Sequence, residues 1–121
     1  MTQMETLIGR WEEIIKELSG LFEMRRGSVV EQFVETLRKD GTRTRRGPYA
    51  LYSYKKKART ISQRLSDPEL VETYRGQIQA FRRFQELVQE MVTLGERISE
   101  VAISDGREKK QSRSASKRTR K

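Results

Sequence analysis

The spacing of apolar residues changes period twice along the chain, and this limits what it can fold into. From residue 3 to 23, Met4, Leu7, Ile8, Trp11, Ile14, Ile15, Leu18, Leu21 and Phe22 recur at steps of three and four. That spacing gives one apolar helical stripe. Thr2 stands where an N-cap belongs, with Glu5 three residues on as its capping-box partner. Gly27-Ser28 breaks the pattern, and the period falls to two. Phe33, Glu35 and Leu37 then share one face of a strand over about 29–38, with Val34 and Thr36 on the other. Lys39-Asp40-Gly41-Thr42 reads as a turn, and Pro48, which cannot donate to a ladder, closes the arginine-rich return. Tyr49–Tyr54 is the clearest strand: Tyr49 and Leu51 face one way, Ala50, Tyr52 and Tyr54 the other. After the turn Lys55-Lys56-Lys57, residues 59–65 return, with Ile61 and Leu65 on one side and Thr60, Ser62 and Arg64 on the other. Asp67-Pro68-Glu69 starts a second helix. Its stripe runs from Leu70 to Val101, with Gly95 as its weak point and Asp105-Gly106 as its end.

The expected fold is therefore α+β. Two antiparallel amphipathic helices, the second one long, flank an inserted three-stranded antiparallel β-meander. A sheet this small needs a helix across one face. Residues 1–105 form the domain. Residues 106–121 have one apolar side chain, Ala115, and read as a disordered basic tail.

Charge is segregated along the same lines. Residues 1–24 carry two basic and five acidic groups, and 65–104 carry four and seven. Residues 25–64 carry twelve and three, and 105–121 carry eight and two. The net charge of +9 thus sits in the meander and the tail, a distribution suited to a polyanion. The chain has no cysteine, which excludes disulfide and thiolate chemistry, and no histidine, the commonest metal ligand and neutral-pH base. No apolar run approaches the ~18 residues of a membrane span, and Glu5, Glu12 and Glu13 stand where a secretory signal needs positive charge. A cytoplasmic protein is expected. No catalytic constellation assembles, so no enzyme, metal or cofactor is expected. Glu86 with Glu90, and Glu96 with Glu100, are helical neighbours that read as solvated faces rather than cation sites. Trp11 reads as a packing residue.

The candidate binding residues lie in the basic, aromatic meander. Arg43, Arg45 and Arg46 precede Tyr49; Lys55, Lys56 and Lys57 follow Tyr54; Arg59 and Arg64 lie on the third strand. Arginine forks take phosphate bidentately, and lysine acts as a point charge. Tyr49, Tyr52 and Tyr54 offer rings to unpaired bases, and a β-ribbon can enter a DNA major groove. One tyrosine face packs and the other is exposed; the sequence leaves open which. Lys109, Lys110, Lys117 and Arg118 add charge from the tail.

The order Met-Arg-Arg-Gly-Ser, Lys-Asp-Gly, Arg-Arg-Gly-Pro-Tyr, Arg-Thr-Ile-Ser, then a helix with Tyr74, Phe81-Arg82-Arg83-Phe84 and Leu87-Val88, carries a likeness over about residues 20–100. It resembles a family of small uncharacterised prokaryotic proteins that look like companions of transposase-bearing mobile elements. Gly47-Pro48-Tyr49 and Phe81-Arg82-Arg83-Phe84 match that pattern, but Ala50 stands where a second tyrosine is expected. Some relatives have a cysteine pair before Gly-Pro-Tyr; this chain has none, so no metal is implied.

The expected function is a nucleic-acid-binding accessory protein, with DNA favoured over RNA and a transposase as the implied partner. The alternative is a helical oligomerisation or protein-interaction module. Two helices of unequal length, packed antiparallel, should run side by side only to about Val88 or Met91. Met91, Val92, Leu94, Ile98 and Val101 would then lack a partner within the chain and form a homodimer interface.

Overall fold

The computed structural model describes residues 2–118, and of 108–118 the backbone alone. The order is α1 (Gln3–Leu18), β1 (Ser28–Leu37), β2 (Arg43–Lys56), β3 (Arg59–Leu65) and α2 (Pro68–Arg118). It is the helix, antiparallel meander and helix that the changes of period imply. The chain divides into two compact units, residues 21–84 and residues 1–20 with those from 85 on, so α2 contributes to both.

In the helical unit, α1 starts where Thr2 accepts a hydrogen bond from the Glu5 amide at 3.1 Å. It ends at Leu18, two residues before Gly20 and short of the stripe that runs on to Phe22. Met4, Leu7, Trp11, Ile14 and Leu18 alternate steps of three and four, as do Leu87, Met91, Leu94, Ile98 and Val101 on α2. Both stripes lie in the helical unit, where Arg10 meets Glu90 and Gln3 lies beside Arg97, so the two helices run antiparallel. Ile14 and Leu87 are fully buried there. Arg10 donates to both Glu90 oxygens, through Nε and, at 2.8 Å, through Nη2. These bonds, with the one to Glu13, hold the guanidinium charged well beyond its ordinary range. The pair is part-exposed, so its net contribution is small.

Two expectations change here. Met91, Leu94, Ile98 and Val101 do have cover within the chain. A Cβ on Gly95 would stand 3.7 Å from the Trp11 ring, and Gln3 lines one depression with Arg97 and Val101. Val92 remains exposed. Residues 19–27 form a linker between Leu18 and β1. Nor does the helix break at Gly95 or end at Asp105-Gly106. Its backbone continues through Arg118, so the tail is helical over 107–118 rather than without structure. One glycine costs only about 1 kcal/mol, and the Lys, Arg, Gln and Ala that follow are good helix formers.

In the sheet unit, the order is β1-β2-β3, antiparallel throughout. Tyr52, Leu65 and Ile78 form its centre, with Val29, Ala50, Tyr54, Val71 and Tyr74 packed around them. The helix that covers the sheet is thus the first part of α2, started by Pro68 and by Asp67, whose carboxylate accepts from the Glu69 amide at 3.0 Å. The Gly47-Pro48 step does not end a segment as expected. β2 runs through it: Gln32 pairs with Tyr49 and Val34 with Arg46, so Gly47 and Pro48 together oppose Phe33 as a bulge. Gly47 has φ +127°, and a Cβ there would meet the Gln32 carbonyl at 2.8 Å. The arginines expected in a return segment therefore belong to a fourteen-residue central strand.

The β2–β3 turn is Lys57-Ala58, one residue beyond the expected centre, with φ +51° and +65°. Two central residues with positive φ are the mark of the type I′ hairpin turn, which prefers Asn-Gly. Each non-glycine residue there costs about 1–2 kcal/mol. Lys57→Asn with Ala58→Gly is therefore expected to stabilise the domain by roughly 1–2 kcal/mol. Thermal unfolding checks this, with an unchanged or lowered midpoint as the contrary result.

Candidate nucleic-acid interface

Pairing register and alternation assign every strand residue to a face. The helix-covered face carries Val29, Ala50, Tyr52, Tyr54 and Leu65. The open face carries Ser28, Val30, Gln32, Val34 and Thr36 from β1; Thr44, Arg46, Tyr49, Leu51, Ser53 and Lys55 from β2; and Thr60, Ser62 and Arg64 from β3. No acidic side chain lies among them. Three cations and a row of hydroxyls share it, with the Ser53 and Ser62 hydroxyls hydrogen-bonded to each other at 2.9 Å. Both strand carboxylates, Glu31 and Glu35, point to the other side, where Glu31 meets Arg75 at 3.5 Å and Glu35 pairs in register with Arg45. Phosphate oxygens need cations and neutral donors without competing carboxylates, and this face meets that requirement.

The tyrosines divide unequally between the faces. Tyr52 is 3 % exposed. Tyr54 stacks on it at 5.3 Å and Tyr74 meets it edge-on at 5.0 Å. Its hydroxyl donates to the Arg26 carbonyl. Tyr52 therefore has no ring to give to a base while the domain is folded, and Tyr54 belongs to the same cluster. Both are corrected from binding candidates to packing residues. Tyr49 alone lies on the open side, and the Arg64 guanidinium sits 3.4 Å from its ring centroid. One covered ring makes a poor stacking platform.

The arginine and lysine clusters do not come together. β3 ends against Ala50, so beyond it β1 and β2 pair only with each other. They project as a two-stranded ribbon whose tip closes with Arg38 N–H to Thr42 O at 2.8 Å. The Asp40 carboxylate accepts from the Thr42 hydroxyl and amide, which hold it below its ordinary range. Arg43, Arg45 and Arg46 lie on this ribbon and are exposed. Arg46 continues the open face, while Arg45 crosses the Phe33 ring at 3.8 Å on the opposite side with Arg43. Lys55, Lys56, Lys57 and Arg59 mark the other end of β2, roughly 30 Å away at about 3.3 Å per residue. Lys56 and Arg59 face each other on the helix side of the ladder, while Lys55 is on the open face. The Lys109, Lys110, Lys117 and Arg118 side chains lie outside the described residues.

Two groups went unread in the sequence. The open-face hydroxyls become a set only when the register is known. Arg25 is the second. It donates from its backbone and its Nε to Gln77, each at 3.0 Å, and its guanidinium lies 4.0 Å from the Tyr74 centroid and 5.4 Å from that of Tyr52. It serves the core as a cation on an aromatic cluster; only its place beside Gly27 hinted at structure. Among the described residues no three acidic side chains gather as a metal site, and no helix is long and apolar enough to cross a membrane. Comparison with protein-family models, with curated proteins and with solved structures gives no match for this chain.

Proposed function

We propose that the chain is a nucleic-acid-binding accessory protein that lays the open sheet face and the basic ribbon along the phosphate backbone of DNA. The observation that carries this reading is the acid-free open face bearing Arg46, Lys55 and Arg64, continued by the exposed arginines of the ribbon. Duplex DNA is favoured over RNA on two grounds. A single tyrosine, already covered by Arg64, gives unpaired bases little to stack on. A two-stranded ribbon fits the B-form major groove, whereas the A-form major groove is too narrow for side chains to read. The ribbon arginines divide between its two faces, Arg46 on one and Arg43 with Arg45 on the other, which suits backbone contacts rather than base contacts. The likeness to companions of transposase-bearing elements fits a DNA complex with a transposase in the cytoplasm.

The lysine end tests it. Replacing Lys55, Lys56 and Lys57 with Ala is expected to weaken binding to all duplex sequences alike and to flatten the dependence of log affinity on log salt by up to about 0.9 per lost contact. Circular dichroism should show the fold intact. An unchanged salt slope in the folded variant would remove this end from the interface.

A second reading, a helical interaction module, rests on Ile8, Ile15, Val88 and Val92, which stay substantially exposed on the helical unit. It requires concentration-dependent mass and no salt-dependent nucleic-acid affinity.

A further inference from the structure

The outer edge of β1 is the least protected strand edge in the sheet. It is ten residues long, Ser-Val-Val-Glu-Gln-Phe-Val-Glu-Thr-Leu, with neither proline nor lysine. The bulge residues lie on β2, so β1 keeps its alternation unbroken from 28 to 37. Val30, Phe33, Val34 and Leu37 are 44, 47, 47 and 69 % exposed and occupy both of its faces. Natural sheets shield such edges with charge, proline, bulges or a covering element, and an unshielded one is a template for another strand. β3, the other edge, is shorter and carries Arg59 and Arg64 on opposite faces.

We infer that β1 pairs antiparallel with β1 of a second copy of this chain, joining two three-stranded sheets into one of six strands. A two-fold axis normal to the sheet keeps faces matched, so only registers that put even against even and odd against odd are allowed. Centring the axis on Phe33 would place Glu31 directly across from Glu35. Centring it on Gln32 instead sets Val30 across from Val34, Val29 across from Glu35 and Glu31 across from Phe33. Like charges across a ladder are destabilising and β-branched pairs are favourable, which favours the Gln32-centred register over the Phe33-centred one. Glu31 is already matched within its own chain by Arg75, and Glu35 stands across the ladder from the cationic Arg45. The edge therefore presents little net repulsion to a copy of itself. In that arrangement both open faces lie on one side, with Arg46, Lys55 and Arg64 of each copy on a single acid-free surface.

The test uses the full chain, which has no native cysteine. Gln32→Cys lies on the axis, where facing residues are about 4.5–5.5 Å apart between Cα atoms, within disulfide reach. Mild oxidation is expected to convert most of this variant to a covalent dimer on non-reducing electrophoresis, while Phe33→Cys stays monomeric under the same treatment. Sedimentation of the unmodified chain at tens of micromolar should give dimer mass. Val30→Lys with Val34→Lys should lower it to monomer mass, and mixing with Val30→Glu, Val34→Glu should restore it. A monomeric unmodified chain overturns the proposal. So does a dimer in which Gln32→Cys fails to crosslink, or in which Phe33→Cys crosslinks instead. None of these readouts involves nucleic acid, so they stand or fall apart from the binding reading.

Discussion

Replacing Arg43, Arg45 and Arg46 together with alanine is expected to lower affinity for a mixed-sequence duplex about a hundredfold at moderate salt. Three charge-assisted phosphate contacts at roughly 1 kcal/mol each make about 3 kcal/mol, and 1.4 kcal/mol is tenfold. The slope of log affinity against log salt should fall by two to three. Stability should hardly move, because all three side chains are exposed. Arg45 rests on the Phe33 ring, and loss of that contact costs ~0.5–1 kcal/mol at an exposed site. Titration by fluorescence anisotropy at several salt concentrations, with melting curves alongside, measures all of this. Full affinity with an unchanged slope would take the ribbon out of the interface. The expected loss exceeds that for the lysine turn because the ribbon presents arginine forks on both of its faces, as an element lying inside a groove requires.

Tyr52→Ala is expected to destabilise the sheet unit by roughly 3–5 kcal/mol, the usual cost of removing a buried aromatic side chain. The ring is the common neighbour of Tyr54, Tyr74 and Arg25. Its loss leaves a cavity and strips the Arg25 guanidinium of one aromatic wall. The Arg26 carbonyl also loses its hydroxyl donor. Tyr52→Phe separates these effects: it keeps the ring, removes the one hydrogen bond, and should cost about 1–2 kcal/mol. Chemical denaturation of both variants reads the two costs. A Tyr52→Ala protein that retains wild-type stability but no longer binds nucleic acid would return Tyr52 to the interface and contradict the packing described here.

The elements were legible because each rests on local chemistry. Thr2 caps α1 and Asp67 with Pro68 starts α2 where the residue types require. The alternation of Tyr49 and Leu51 against Ala50, Tyr52 and Tyr54 defines two faces from residue type alone. What alternation cannot say is which face the helix covers. That depends on Val71, Tyr74 and Ile78 arriving from a distant part of the chain. Pro48 misled for a related reason. Its missing amide argues against a regular ladder, and only the partner strand shows that a bulge accommodates it. The apolar stripe of α2 was read correctly as a stripe. Its partner was misplaced because the path of residues 19–27 is set by tertiary contacts, such as Arg25 with Gln77, rather than by residue type. The candidate site was legible as a list of cations and illegible as a surface. The sequence groups Arg45 with Arg46, and the strand sends them to opposite sides.

Beyond β3, β1 and β2 pair only with each other and their side chains are mostly exposed, and this sets how the ribbon responds to force and heat. A two-stranded hairpin alone in water is marginally stable. Opening the segment from Phe33 to Arg46 exposes little surface that is not already wet, so it draws on a small share of the global unfolding free energy. Hydrogen exchange is expected to find its amides opening more readily than those of the core around Tyr52. The arginines it carries are therefore displayed on the most pliable part of the sheet. On the proposed reading, a polyanion that held them would also order the ribbon, so association would be coupled to local folding and the ribbon's curvature could follow the surface it meets.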